Sequence, residues 1–294
     1  MNAILTLAAF PQPERNAASV CFGLDFTSAP GRRKPITCVQ ARLSAGLLTV
    51  ERCIHLINFP DFEDLLSTPG PWFAACDFPF GLPPRLLADL GWSPIWQAYI
   101  QSIANLPKEQ FEKILLDYCA GRPAGDKHHV RLTDKLAGAC SPMMLYRVPV
   151  AKMFFQGAPR LLASGVSIWP CFPRNDTRIV FEGYPSLMVR RWLGRRSYKS
   201  DERKKQSNDQ RLARVELLTL LCSPLLQKEY GIELSLASEI RQELEADATG
   251  DQLDALLCAI QAAWASQQPG YGIPEGHASE GWIVDPALLK REAL

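Results

Sequence analysis

Five acids stand where apolar stretches of this 294-residue chain begin or end. Asp25 lies in the alternating run Val20, Phe22, Leu24, Phe26. Asp77 follows "WFAAC", Glu182 follows "RIVF", and Asp251 and Asp254 open "DQLDALLCAIQAAWAS". An ionised carboxylate among apolar groups is costly unless it is paired or metal-bound. Gathering several adds like-charge repulsion, which raises their pKa values. A divalent cation removes both penalties, and hard oxygen donors at element ends suit Mg²⁺ or Mn²⁺. Asp25, Asp77, Glu182, Asp251 and Asp254 are therefore the catalytic candidates. Each has a plainer explanation too: a turn cap for Asp25 and Asp77, an arginine partner for Glu182, an acid favoured by the helix dipole for Asp251 and Asp254. Their shared place at element boundaries favours a cluster.

The elements that would position them can be read from periodicity. Alternation predicts a strand at 20–26, with Cys21, Gly23 and Asp25 on its second face. "ITCVQARL" (36–43) and "LLTVERCIHL" (47–56) are two further strands, so the first three form an antiparallel meander. "DFEDLLS" is a short helix. "WFAACDF" (72–78) suits a strand buried on both faces. Helical patterns follow over 83–120, near 151–163, and at 207–222 and 236–247. Residues 121–150 read as a loop-rich, basic insertion. "RIVFEGY" (178–184) is another strand, and Pro185 suits the first turn of the next helix. The helix from about 250 is the clearest in the chain. Thr249 and Gln252 match a capping box. Leu253, Leu256, Leu257, Ile260 and Trp264 form its apolar stripe, and Asp251 and Asp254, three apart, project from one face. "EGWIV" (280–284) is a candidate last strand.

Composition narrows the class. The chain is 47% hydrophobic and 21% charged, with a formal net charge of +1. That is ordinary globular composition, so anion affinity must come from local patches. One patch is the stretch 190–214, where ten basic residues face three acidic ones. Nine cysteines without a C-x-x-C pair read as core thiols in a reducing compartment, and the four histidines stand off zinc-ligand spacing. No apolar run is long enough to span a membrane. The expected location is cytoplasmic, with residues 1–19 an N-terminal extension and no zinc.

The motifs "GLDFTSAPGRRKP", "CDFPFGLP", "FEGYPSLMVRRWLGRRSYK" and "GDQLDALLCAI" resemble, in order, those of the DUF429 family, an uncharacterised group classed as predicted ribonuclease H-like nucleases. The resemblance covers most of 20–284. It implies an α/β, ribonuclease H-like fold: a mixed β-sheet flanked by helices, in a single domain over 20–294 with a helical and loop insertion at about 92–165. The "D-x-x-D-A" helix is also similar to the last helix of RuvC-type resolvases. Asp25 would match the central metal ligand on the first strand. Asp77 would match the acid ending the fourth strand, and Asp254, with Asp251, the acids of the last helix. Glu182 falls on the family's "E-x-Y-P" motif. The metal ligands are then Asp25, Asp77 and Asp254, holding Mg²⁺ or Mn²⁺ for phosphodiester hydrolysis of nucleic acid.

On that reading Arg32, Arg33 and Lys34 would meet phosphates beside the site, with Lys199 further out. Ser28, His128, His129 and Arg131 are further candidates for substrate contact. The plainest reading of "RRSYKSDERKK" is a solvated linker, and of the histidine pair a polar loop. Two other functions fit the same elements. One is a Mg-nucleotide-dependent phosphotransferase or ATPase, against which stand the missing second "G-x-D" unit and the missing phosphate loop. The other is a non-catalytic binding protein whose acids are structural.

Overall fold

The computed structural model describes residues 18–292; the stretch 1–17, most of the expected N-terminal extension, lies outside the described residues. The meander forms as the alternation predicts. β1 (Ser19–Asp25) pairs antiparallel with β2 (Ile36–Ser44), and β2 pairs antiparallel with β3 (Leu47–Leu56). Helix α1 (Phe59–Leu66) starts where the Asn58 side chain accepts from the Asp61 amide at 2.9 Å. β4 (Trp72–Cys76) is buried at every position and runs parallel to β1.

Five helices follow: α2 (Pro84–Asp89), α3 (Trp96–Ala104), α4 (Lys108–Ala120), α5 (Leu132–Ala137) and α6 (Val150–Ser164). The two-residue β5 (Ser167–Ile168) leads to β6 (Arg178–Glu182), which lies parallel to β4. Then come α7 (Pro185–Leu193), α8 (Asn208–Leu221), α9 (Pro224–Tyr230), β7 (Glu233–Ser235), α10 (Ser238–Ala246), α11 (Asp251–Ser266) and α12 (Pro286–Glu292). Pro185 opens α7 as expected. The stretch 280–284 is no full strand; Ile283 makes a single parallel bridge to Glu182.

Among the described residues the sheet has seven strands in the order β5-β6-β4-β1-β2-β3-β7. It is a mixed sheet flanked by helices, of the α/β class and consistent with a ribonuclease H-like fold. Side-chain alternation divides the core between its two faces. Phe22 and Leu24 of β1, Trp72 and Ala74 of β4, and Val180 of β6 pack under α1 to α4 and α6. Cys21 of β1, Phe73 and Ala75 of β4, and Phe181 of β6 pack under α7 to α11. α11 is apolar around almost its whole circumference, and Leu253 to Ala265 are buried. A helix of that kind belongs inside. Each of its leucines contributes about 2 kcal/mol through burial.

Gly23 sets the distance between α11 and β1. A Cβ there would lie 2.0 Å from the Ala255 carbonyl oxygen and 2.1 Å from the Ala259 nitrogen. Only a residue without a side chain lets the helix backbone rest on the strand. Asp25 is two residues on, so it points to the same face, toward the start of α11. No helix among the described residues is long and apolar enough to cross a membrane. All nine cysteines are free thiols, with Cys21, Cys38, Cys76 and Cys258 in the core.

Candidate acidic site

β1 and β4 end side by side. The Asp77 amide donates to the Leu24 carbonyl at 2.9 Å, which fixes Asp77 next to the end of β1. The first turn of α11 carries Asp251 and Asp254 over the same edge. That turn is held differently from the capping box expected of Thr249 and Gln252. The N-cap is Gly250, in the left-handed region with φ 72°. Asp247 does the capping from upstream: one oxygen accepts from the Thr249 hydroxyl at 2.6 Å, the other from the Gln252 amide at 3.0 Å. Asp247 thus takes the Gln252 amide that Thr249 would have served, and the Thr249 hydroxyl oxygen accepts instead from the Asp251 amide, at 3.4 Å.

The four acids from β1, β4 and α11 have unequal partners. Asp254 is buried and satisfied: the Tyr198 hydroxyl donates to Oδ1 and the Lys199 ammonium to Oδ2. Asp251 accepts from Lys34 Nζ at 2.8 Å, and Lys34 also reaches Asp201 at 2.8 Å. Asp25 is 8% exposed, and no donor among the described residues reaches its carboxylate. The half-buried Asp77 side chain likewise accepts from no donor among the described residues. Their protonation follows. Burial pushes the Asp25 pKa well above the usual carboxylate range; Asp254, Asp251 and Asp77 add to the rise and Lys199 opposes it. Burial and the charge of Asp254 push Asp77 up to about 7, again against Lys199. Burial works against a charged Lys199, yet Asp254, Tyr198 and Asp25 together hold its pKa well above the ordinary lysine value.

Glu182 stands apart from this group in its bonding. Arg131 grips it with two nitrogens, Nη1 to Oε2 at 2.7 Å and Nη2 to Oε1 at 2.6 Å, and the Phe80 amide adds a third bond at 2.9 Å. Asp134 completes the buried trio through Arg131 Nη2 at 2.6 Å. Burial raises the Glu182 pKa, against Arg131. Glu182 thus has its arginine, as its plainer explanation held, and its oxygens are taken. Arg131, read from the sequence as a phosphate contact, is 2% exposed and spends its guanidinium on Asp134, Glu182 and the Glu280 carbonyl. It joins the start of α5 to the end of β6 and does not face solvent.

The other expected substrate contacts separate into two places. Arg32 and Arg33 are exposed on the tight turn that Gly31 and Lys34 close with paired backbone bonds of 3.1 Å. Ser28 lies half-buried just past β1. Lys34 ties that turn to Asp251, so this group borders the acids. His128 and His129 do not join them. His129 Nε2 lies 2.7 Å from the Tyr118 hydroxyl and its Nδ1 3.9 Å from Asp126, in a polar network with Asp89 and Arg122; His128 is exposed.

Tyr198 is the site residue that sequence reasoning passed over. The stretch read as a solvated linker is anchored. Tyr198 is buried, its carbonyl accepts from Arg214 Nη1 at 2.8 Å, and the Ser200 amide donates to the Ala248 carbonyl at 3.1 Å. The one available signal was a tyrosine alone amid charges.

For a hard divalent cation the donor types fit: carboxylates, with Asp25 buried and Asp77 half-buried at adjoining strand ends and neither reached by a donor among the described residues. Their spacing is not that of a finished cage. Among the described residues no three acidic, histidine or cysteine side chains are gathered to hold an ion. The lysines occupy the α11 acids instead.

Residues 150–277 match a family model described as "Protein of unknown function (DUF429)". The match holds Glu182, the Tyr198–Lys199 pair and α11, and stops short of Asp25 and Asp77, so it is narrower than the motif resemblance over 20–284. No curated protein and no solved structure matches the chain.

Proposed function

Starting from a chain whose residues 150–277 match the DUF429 family, we propose a hydrolase of phosphodiester bonds that works with Mg²⁺ or Mn²⁺ held by Asp25, Asp77 and Asp254. The observation that carries this reading is the pair Asp25 and Asp77. A buried and a half-buried carboxylate that accept from no donor among the described residues, set beside two further acids, cost stability and are suited to binding a cation. The ion would supply charge neutralisation and an activated water. Asp251, at the dipole-favoured start of α11, would orient what Asp254 holds. Arg32 and Arg33, exposed and tied to the site through Lys34, would bind the phosphates flanking the scissile bond. The substrate in this reading is nucleic acid.

The test is a cleavage screen on single- and double-stranded DNA and RNA with Mn²⁺, run on the wild type and Asp25→Asn. Loss of cleavage in a folded Asp25→Asn protein supports the reading. Equal cleavage by both, or no Mn²⁺ binding by calorimetry, removes it. A second reading, a binding protein with structural acids, draws on one observation: both α11 acids already have lysine partners. It expects no Mn²⁺ binding.

A further inference from the structure

Lys199 is seated, not merely nearby. Its backbone is held on both sides, by Arg214 at the Tyr198 carbonyl and by the Ser200 amide on Ala248. Its own carbonyl accepts from Gln210 Nε2 at 3.1 Å. The chain before α11 makes room for it: a Cβ on Gly250 would lie 2.7 Å from the Lys199 Cβ. The side chain is 36% exposed, while its partner Asp254 is at 1%. The ammonium sits on Asp254 Oδ2 and within the electrostatic reach of Asp25. Exposed ion pairs contribute little. A charge laid on a buried carboxylate is different, because removing it leaves that carboxylate uncompensated.

We propose that Lys199 is an internal cation that takes the divalent ion's place in the metal-free protein and is displaced when an ion binds Asp254. The inference rests on the metal reading given above. A single positive charge serves Asp254 while Asp25 and Asp77 accept from no donor among the described residues; a divalent ion neutralises more of the group. A hard cation bonded to Asp254 Oδ2 also needs the space the ammonium fills. The backbone anchors need not move, since four rotatable bonds let the side chain swing away.

The test compares wild type, Lys199→Met and Lys199→Arg by Mn²⁺ calorimetry and by thermal melting in EDTA and in saturating Mn²⁺. Lys199→Met is expected to bind Mn²⁺ at least tenfold more tightly, about 1.4 kcal/mol. It should melt below wild type in EDTA, with the gap closing in Mn²⁺. Lys199→Arg keeps the charge and should bind like wild type. Unchanged or weaker Mn²⁺ binding by Lys199→Met overturns the displacement alone. No binding by any of the three overturns the displacement and the metal reading together. Should Lys199→Met fail to fold, the ¹⁵Nζ resonance of Lys199 is followed in wild type during a Mg²⁺ titration. A clear shift on binding supports the displacement, and a signal unmoved at saturation overturns it.

Discussion

Asp77→Asn should stabilise the metal-free protein, and more so as pH rises. The Asp77 pKa stands at about 7 against an ordinary 3.8. The native state therefore keeps a proton that the unfolded chain has already lost between about pH 4 and pH 7. In that window the native state binds more protons, so stability falls as pH rises. At about 1.4 kcal/mol per unit, the full shift of about three units is worth about 4 kcal/mol. Asp77 keeps some contact with water, which screens part of this, so about 2 to 4 kcal/mol is the expected cost above pH 7. Asparagine matches the neutral acid in shape and carries no charge to lose. Urea unfolding in EDTA at pH 5, 6, 7 and 8 measures the difference between variant and wild type. It should be about a third of its full size at pH 5, grow through pH 7 and level off. A difference that stays flat with pH, or a variant less stable than wild type at pH 8, would refute the claim that Asp77 is a repelled, donorless carboxylate.

Other expectations follow from single contacts. Gly23→Ala places a Cβ against the α11 backbone, at 2.0 Å and 2.1 Å from its nearest atoms; a loss of about 3 kcal/mol or more in urea unfolding is expected. Arg131→Met leaves Glu182 buried without its cation, and the same assay should read a loss of about 3 to 5 kcal/mol. Arg32→Ala with Arg33→Ala should weaken nucleic-acid binding, and fluorescence anisotropy across a salt series should show the slope reduced by about 2.

Much of this was legible because β-alternation is a local signal. Phe22 and Leu24 against Cys21 and Asp25 already separate the two faces of β1. The four acids that converge lie at element boundaries, and boundaries show in sequence. What was not legible is pairwise and distant. β5 and β7 have two and three residues, too few for any period. α9 is seven residues long and hides behind Pro224. That Glu182 belongs to Arg131 depends on a contact across 51 residues of chain, which no spacing encodes. Tyr198 and Lys199 sit in a strongly charged stretch whose composition suggests solvent, and only the buried Asp254 reveals their role. The Thr249 cap failed for a similar reason: Asp247, outside the motif, takes the Gln252 amide.

The contact between Gly23 and Ala255 gives the chain an order of assembly. During synthesis β1 leaves the ribosome long before α11 exists, and until then the edge that carries Asp25 has no helix above it. Any product broken off before α11 lacks half the acids and the roof that buries the rest. Whatever chemistry this edge performs is therefore withheld from nascent and truncated chains, and begins only when late residues close over early ones.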